Sequence, residues 1–216
     1  MADADRAPEL ASIELTAEQI AKLKIYESLL AKWQRRLNLV ARSTISQIWP
    51  RHFEDSLQLL PLAGNWRRWV DIGSGAGFPG MVIAIMSPSQ EVHLVESDRR
   101  KAAFLGEVSR ETDARAYIHV DRIERALPEL ATSLNFDIIS ARALAPIGDL
   151  LRYAEPVLQK GARGLFLKGK ELARELTDSP VNDTFSYELV NSATERDAKI
   201  VVVHHLKIPS THRLEQ

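Results

Sequence analysis

The chain has 216 residues, the length of one ordinary domain with a full hydrophobic core and room for a small appendage. Its 28 basic and 29 acidic side chains leave a formal net charge of −1, so any contact with nucleic acid must come from local basic patches. Cysteine is absent, which excludes a disulfide framework, a cysteine zinc site and a thiolate nucleophile.

The N-terminal part of the chain is predicted to be a loose leader followed by an amphipathic helix. Residues 1–15 lack the basic start and apolar centre of a signal peptide, and no later apolar run approaches the ~20 residues of a membrane span, so we expect a soluble, cytoplasmic protein. Thr16 and Gln19 form a capping-box pattern, and apolar residues then recur every three or four positions as far as Leu37. The basic run 32–36 is a candidate phosphate contact, although a solvated helix face is the simpler interpretation.

Two short helices are predicted next, one capped at Ser43 and one running from Arg51 to Leu60. The second opens with an unusually polar run: Arg51, His52, Glu54 and Asp55. This run indicates either acids near the positive end of a helix dipole or a wall of an active-site cleft, and the pattern leaves both open. Pro61 and Gly64 then end the helices. We therefore predict an N-terminal helical extension, residues 1–64, integrated with a core of residues 65–216.

A glycine-rich turn follows the first predicted strand, Trp69–Ile72, and leads into a helix that starts near Met81. Four glycines lie within the eight residues from Gly73 to Gly80, too many for the interior of a helix or strand. They are needed where the backbone turns sharply or comes very close to another group. A strand, such a turn and a helix form the ligand-binding corner of doubly wound α/β folds.

Two ligands compete for this corner. The spacing Gly75-x-Gly77-x-x-Gly80 is that of a dinucleotide fingerprint, and Glu96 lies 21 residues after Gly75, where an acid meets ribose. A pyrophosphate, however, would lose one backbone donor at Pro79 and would be repelled by Asp71. S-adenosylmethionine (SAM) is cationic and has no phosphate, so the same acid favours it. We expect SAM, with Glu96 on the ribose and direct contacts from Asp71, Gly73, Gly75 and Gly77.

The rest of the chain alternates between strands and helices, which predicts a mostly parallel α/β sheet. The predicted strands are Glu91–Val95, Ala116–Val120, Phe136–Ile139, Gly164–Leu167, Tyr187–Val190 and Ile200–Leu206. The predicted helices run from Asp98 to Arg110, from Ile147 to Leu158 and from Leu172 to Leu176. The last two strands resemble a hairpin. We therefore expect seven strands, one of them antiparallel.

Ligands of parallel sheets bind beyond the carboxyl ends of the strands, and the polar residues there are the site candidates. The turn from Asp121 to Glu124 is predicted to hold an adenine ring. Arg142 follows an apolar strand and needs a partner, for which Glu96, Asp71 or a substrate phosphate are the candidates. Lys168 and Lys170 follow the next strand. No histidine has metal-ligand spacing, so we expect no metal site.

The acceptor of the methyl group is narrowed by what the chain lacks. Methylation of an exocyclic amino group usually comes with Asn/Asp-Pro-Pro-aromatic after the fourth strand, where this chain has Ser140-Ala-Arg-Ala. Attack through pyrimidine C5 usually needs a cysteine, and there is none. A ring nitrogen such as guanine N7 has a free lone pair and needs only positioning in line with the sulfonium methyl. A site rich in glycine and arginine fits that chemistry without requiring it.

Five segments in this order resemble the RsmG (GidB) family of bacterial 16S rRNA methyltransferases, and the resemblance runs from about Tyr26 to Leu206. They are Arg51-His-Phe-Glu-Asp-Ser-Leu57, Asp71-Ile-Gly-Ser-Gly-Ala-Gly-Phe-Pro-Gly80, Glu96-Ser with Lys101-x-x-Phe104-Leu105, Ala141-Arg142-Ala143 and Leu167-Lys168-Gly169. The glycine-rich segment alone is typical of SAM enzymes in general. The Arg-His and Asp-Ser residues before it and the Phe-Pro-Gly within it make the resemblance specific to one family.

The resemblance implies a class I SAM-dependent methyltransferase (Rossmann-like) fold with an N-terminal helical extension. It implies methyl transfer from SAM to N7 of a guanine in the 530 loop of 16S rRNA, in the small ribosomal subunit or its assembly intermediate. The family's SAM-binding positions fall here on Gly73, Phe78, Ile123, Glu124 and Arg142. The candidate catalytic residues at family motif positions are Arg142, Lys168, Arg51 and His52.

Two other functions stay open at this point: a SAM enzyme acting on a small molecule or protein, and a dinucleotide-binding oxidoreductase or regulatory module. If the substrate is RNA, basic clusters are expected to bind its phosphates. These clusters are Lys32–Arg36, Arg51, Arg67-Arg68, Arg99–Lys101, Arg122, Arg125 and Lys168–Lys170.

Overall fold

Seven strands form one twisted sheet in the computed structural model, which describes residues 13–178 and 185–206. The strands are β1 (Arg68–Ile72), β2 (Glu91–Val95), β3 (Tyr117–His119), β4 (Ile138–Arg142), β5 (Arg163–Lys168), β6 (Phe185–Asn191) and β7 (Lys199–Leu206). Their order across the sheet is β3-β2-β1-β4-β5-β7-β6, and β7 alone runs antiparallel to its neighbours on both sides. The predicted mostly parallel sheet with one antiparallel strand is confirmed.

Helices cover both faces of the sheet. They are α1 (Ala17–Gln34), α2 (Asp55–Leu57), α3 (Leu60–Ala63), α4 (Gly80–Met86), α5 (Arg99–Glu111), α6 (Ile123–Ser133), α7 (Ile147–Leu158) and α8 (Leu172–Asp178). The predicted capping box at the start of α1 is present, since Thr16 and Gln19 exchange side-chain and backbone hydrogen bonds. Asp98 caps α5 through the amides of Arg100 and Lys101. In the described part of the chain, no helix combines the length and apolar character needed to cross a membrane.

The segment between α1 and β1 differs from its prediction. A 3₁₀ helix, Arg42–Gln47, begins after Ala41 rather than at a Ser43 cap. The predicted helix from Arg51 to Leu60 is divided among a π-helix, Trp49–Glu54, and the short helices α2 and α3. Pro61 lies in the first turn of α3 instead of ending a helix, which is allowed because the first turn has no use for its missing N–H. Single-turn π segments are often found at functional sites, and this one carries the Arg-His motif.

Two further corrections concern the carboxyl edge of the sheet. Helix α6 was not expected, because Pro128 within it and the charges in its first turn hide its apolar face; Ala126, Leu127 and Ala131 make up the buried part of that face. Strand β4 was predicted to end before Ser140 but continues to Arg142, which pairs in register with Leu167 of β5. The extension carries Arg142 to the edge where ligands bind.

The N-terminal helices share their core with the sheet. Leu23, Tyr26 and Leu30 of α1 are buried in the same hydrophobic cluster as Met81 of α4 and Phe104 of α5. The free energy of burying these side chains therefore couples the extension to the turn that precedes α4. The division of the chain near residue 64 stays a prediction.

Candidate functional site

A cleft of about 1070 Å³ opens at the carboxyl edge of the parallel strands. The glycine turn, the ends of β2 to β5, the π-helix and the turn between β6 and β7 form its walls. The predicted site residues that line it are Arg51, His52, Gly73, Gly75, Phe78, Glu96, Ile123, Glu124, Arg142 and Lys168. The structure therefore brings together residues that lie more than 100 positions apart in the chain.

The glycine turn forms one wall of the cleft, and Glu96 holds this turn in place. Gly73 and Gly75 have φ values of 63° and 56°, which L side chains rarely adopt, and both line the cleft. The Glu96 carboxylate accepts hydrogen bonds from the Gly75 amide (2.8 Å) and the Asp98 amide (2.7 Å). Each carboxylate oxygen keeps a second lone pair, so Glu96 can still accept from a ribose hydroxyl. Its position is fixed before any ligand arrives.

Asp71 and Gly77 are not among the residues that line the cleft, and their predicted part in binding the ligand stays a prediction. Asp71 is fully buried below the turn, and its Oδ1 accepts a hydrogen bond of 2.7 Å from the Ser140 hydroxyl. A Cβ atom at Gly77 would lie 2.9 Å from Leu105 and would collide with the Tyr26 hydroxyl. Gly77 is therefore a packing glycine, and Asp71 acts on the cleft through its charge.

Burial raises the pKa of Asp71 from 3.8 to about 6, because an anion is poorly solvated there. The Ser140 and Ser74 hydroxyls, the Gly80 amide and the charge of Arg142 offset part of this shift. The carboxylate consequently destabilises the fold when it ionises. A cation bound in the cleft would stabilise the ionised Asp71 carboxylate.

Replacing Asp71 with asparagine tests this account. The folded protein holds the Asp71 proton more tightly than the unfolded chain, so its contribution to stability is full below pH 3.8 and is lost as the pH rises through about 6. The parent should therefore lose stability relative to the Asp71→Asn variant when the pH is raised from 4 to 8. We expect the difference between their unfolding free energies to change by on the order of 3 kcal/mol in favour of the variant. Urea unfolding at both pH values measures it. A difference independent of pH would contradict a strained buried carboxylate.

Tyr26 of α1 is a site residue that the sequence pattern missed, because its spacing is that of any apolar helix face. Its hydroxyl donates to the Ala76 carbonyl in the glycine turn, and its ring stacks on Phe78 with centroids 5.3 Å apart. Burial raises the pKa of Tyr26 well above 10, so the hydroxyl stays protonated and remains a donor. The extension thereby holds the turn from behind.

The His52 ring stacks on the Phe78 ring, and the imidazole is neutral. Its ring lies 4.8 Å from Phe78, and its Nε2 is 2.9 Å from the Thr44 hydroxyl, which donates to the Ala41 carbonyl. Burial, with the positive charges of Arg142 and Arg51, lowers the pKa of His52 to about 3. A group this acidic when protonated is a poor general base at neutral pH.

Arg142 lies at the centre of the cleft wall. Its Cζ is 4.9 Å from the centre of the Phe78 ring, and its Nη1 donates to the Arg51 carbonyl (3.0 Å) and to Asp55 Oδ2 (3.3 Å). The protein partner is therefore Asp55 rather than Glu96 or Asp71, and the substrate phosphate stays a prediction. Burial lowers the pKa of Arg142 and Asp55 opposes that change, so the guanidinium keeps its charge.

The other two candidate catalytic cations already have partners. Lys168 Nζ lies 2.7 Å from Glu175 Oε2 and donates to the Ala145 carbonyl at 2.9 Å, with a side chain only 8% exposed. Glu175 also accepts from the amide of Ile147 at the start of α7. Arg51 pairs with Glu195 at 3.0 Å near the mouth of the cleft, where both side chains are partly exposed. Lys168 supports the wall, and Arg51 is the more accessible of the two.

Only some of the predicted basic residues lie at the cleft. Lys101, Arg122 and Lys170 line the cleft. Arg67 and Arg68 precede or begin β1, so they lie at the opposite edge of the sheet, where both pair with Glu91. Their predicted contact with RNA phosphates stays a prediction, and it would require the RNA to reach beyond the cleft. Within residues 13–178 and 185–206, no group of three or more His, Cys, Asp or Glu side chains could hold a metal ion.

Comparisons with known proteins agree with this arrangement. The family model described as rRNA small subunit methyltransferase G matches residues 19–201. The Ribosomal RNA small subunit methyltransferase G of Methylobacterium radiotolerans is 43% identical over 215 residues, which cover 99% of this chain and 100% of that protein. The corresponding protein of Rhodospirillum rubrum is 43% identical over 94% of this chain and 96% of its own length.

Solved structures with much lower identity share the fold. A variant of MtNAS in complex with S-adenosylmethionine has a TM-score of 0.58 at 17% identity, covering 88% of this chain and 76% of that one. A methyltransferase from Geobacter sulfurreducens has a TM-score of 0.55 at 16% identity, covering 90% and 92%. The predicted class I methyltransferase fold is thereby confirmed.

Proposed function

Because the chain belongs to the rRNA small subunit methyltransferase G family, we propose that it transfers the methyl group of SAM to N7 of a guanine. The proposed acceptor is the guanine at position 527 in the 530 loop of 16S rRNA. The observation that carries this proposal is that one cleft is lined by the glycine turn and Glu96 together with Arg142 and the Arg-His motif. One side fits a cationic nucleoside, and the other leaves space for a flipped-out base.

The residues present fit SAM better than a dinucleotide. The turn at Gly73 and Gly75 lets the backbone approach the methionine part, and Glu96 can accept from the ribose. The first amides of α6, at Ile123 and Glu124, have no partner within the helix and can donate to adenine. Two carboxylates below and beside the turn would repel a pyrophosphate. They attract the sulfonium and ammonium of SAM.

Arg142 is proposed to bind the methionine carboxylate of SAM. Its Nη1 is taken by Asp55 and by the Arg51 carbonyl, and the fork of a guanidinium has further N–H donors for an anion in the cleft. A guanidinium and a carboxylate match in shape and charge, which makes this the strongest anchor available on this wall. The cation also lies over Phe78, so the guanidinium plane is held in place.

The transfer itself needs no proton acceptor. Bound SAM would supply its methyl group to the N7 lone pair of guanine; the sulfur would keep the electrons of the carbon–sulfur bond, and the guanine ring would take up the positive charge. Methyl transfer to N7 releases no proton, which suits a cleft whose histidine has a pKa of about 3 and whose Lys168 is paired with Glu175. The protein contributes positioning and exclusion of water.

RNA binding is proposed to depend on the cations at the rim of the cleft, among them Lys101, Arg122 and Lys170. Each phosphate that they neutralise releases condensed counterions, so affinity should fall steeply with salt. We expect the Kd for a 16S rRNA fragment to rise at least tenfold between 50 and 200 mM salt, as is usual for several phosphate contacts. Filter binding measures this. If the affinity does not depend on salt, the cations at the rim do not bind RNA phosphates.

The experiment that tests the proposed activity separates it from the two other functions. Protein, methyl-labelled SAM and small-subunit RNA are incubated together, and the label is followed with and without nuclease. We expect label in RNA only, and no binding of NADH at micromolar concentration. If the label is found in protein or in a non-nucleotide product after complete nuclease digestion, the methyl acceptor is not RNA. Binding of NADH without SAM would select the dinucleotide module.

A further inference from the structure

A buried amide lies directly behind the cleft wall that carries Arg142. Gln58 is fully buried between α2 and α3. Its Nε2 donates to Asp55 Oδ1 at 2.7 Å and to the Asp55 carbonyl at 3.1 Å, and its Oε1 accepts from the Ala193 amide at 2.9 Å. Gln58 therefore joins the residue that pairs with Arg142 to the turn between β6 and β7.

That turn supplies a second donor to the same carboxylate oxygen. The Thr194 hydroxyl donates to Asp55 Oδ1 at 2.8 Å, and Ser192 in turn contacts both Thr194 and Gln58. With Oδ1 held by two neutral donors, the carboxylate plane cannot rotate freely, and Oδ2 faces Arg142. A carboxylate with three directed contacts of this kind holds its partner more narrowly than an exposed ion pair does.

Arg142 has little else to fix it on that side. Its side chain and that of Asp55 are each 17% exposed. Among the described residues, the other groups that the guanidinium contacts are the Arg51 carbonyl and the Phe78 ring. Loss of the donors on Oδ1 would let Asp55 turn toward solvent or toward Arg51, and Arg142 would follow. The guanidinium would then lose its alignment with a carboxylate in the cleft.

We propose that Gln58 is a positioning residue for Arg142, acting through Asp55, and that Thr194 of the β6–β7 turn completes this support. The inference rests on the proposed function in one respect, that Arg142 binds the carboxylate of SAM. It assigns the C-terminal hairpin a part in cofactor binding, although the hairpin lies at the far end of the sheet from the glycine turn.

Calorimetric titration of SAM itself tests the inference in the full-length chain. Gln58→Leu should raise the Kd for SAM about tenfold, the effect of losing one directed hydrogen bond. Thr194→Val should raise it about threefold, because a weaker hydrogen bond is lost. Thr112→Val is the matched control. It removes a buried hydroxyl that donates to the Val108 carbonyl at the end of α5, remote from the cleft, and should leave the Kd unchanged.

The decisive comparison places both substitutions in an Arg142→Ala background. A residue that acts through Arg142 has nothing left to position there, so Gln58→Leu and Thr194→Val should each change the Kd by less than twofold. Effects that multiply undiminished in that background would overturn the proposal, as would an unchanged Kd in the parent background. Should Gln58→Leu unfold, Thr194→Val carries the same test at a partly exposed position.

SAM binding is measured without RNA, so the outcome does not depend on the methyl acceptor. If the parent protein binds SAM but does not methylate 16S rRNA, the proposed function fails and the Gln58 test still stands. If the parent methylates rRNA while Gln58→Leu binds SAM as tightly as the parent, the Gln58 inference fails alone.

Discussion

Replacing Arg142 with alanine is expected to raise the Kd for SAM by roughly 10- to 150-fold and to lower methyl transfer at subsaturating SAM by the same factor. A hydrogen-bonded pair between a guanidinium and a carboxylate contributes about 1.5–3 kcal/mol, which gives this range. The loss should be larger than for His52→Ala, because His52 is neutral and touches Phe78 and Thr44 only by stacking and one hydrogen bond. Steady-state kinetics with varied SAM and calorimetry measure the two quantities.

Arg163→Ala is the matched control for this substitution. Arg163 begins β5 at the opposite edge of the sheet, is also part-buried, and its Nη1 also donates to a backbone carbonyl, that of Leu62, at 2.8 Å. The Arg163→Ala variant should be less stable than the parent protein but should bind SAM with the same Kd. Equal effects of the two substitutions on SAM binding would mean that Arg142 acts only by holding the fold together.

Gly80→Ala is expected to destabilise the folded chain by about 3 kcal/mol, although alanine is the better helix former. A Cβ atom at Gly80 would lie 2.6 Å from Asp71 Cβ and 2.9 Å from Asp71 Cγ, and it would collide with the Leu94 side chain as well. Asp71 belongs to the central strand β1, so the obstruction cannot move aside cheaply. The first turn of α4 must shift instead, and the glycine turn with it. Denaturant unfolding measures the loss.

Gly106→Ala provides the comparison, because Gly106 lies inside α5 and its nearest neighbour to a new Cβ, Ile118, is 3.9 Å away. Here the helix propensity of alanine is unopposed, and we expect a gain of about 1 kcal/mol. A stabilising effect at both positions would show that α4 is not pressed against β1. The opposite signs are the expected result.

The sheet could be predicted from the sequence because its strands are short apolar runs bounded by polar or turn residues. Strand β2 and helix α7 have the predicted bounds. Strand β5 is one residue longer than predicted at both ends, and β7 is one residue longer at its start. The glycine turn was evident because so many glycines have no place in a regular element. Its position at the carboxyl edge, with Glu96 beside it, follows from parallel topology alone.

The parts of the site that escaped prediction depend on contacts between distant segments. The Arg142–Asp55 pair spans 87 residues and the Tyr26 bond to Ala76 spans 50, and neither leaves a local pattern. Asp71 was assigned to the ligand because acids at strand ends usually face the cleft. Instead, the Asp71 side chain lies below the glycine turn, where it packs against Gly80 and accepts a hydrogen bond from the Ser140 hydroxyl. Gln58 likewise has no signal beyond being a polar residue in a helical segment.

We propose that this cleft directs the methyl group of SAM to one ring nitrogen of one guanine. Small-subunit rRNA from cells that lack the gene, treated with the purified protein and deuterated SAM, is digested to nucleosides and to mapped fragments for mass spectrometry. We expect a single deuterated N7-methylguanosine, located in the 530 loop. Label on an exocyclic amino group, on a ribose or at a guanine elsewhere in the RNA would contradict the account.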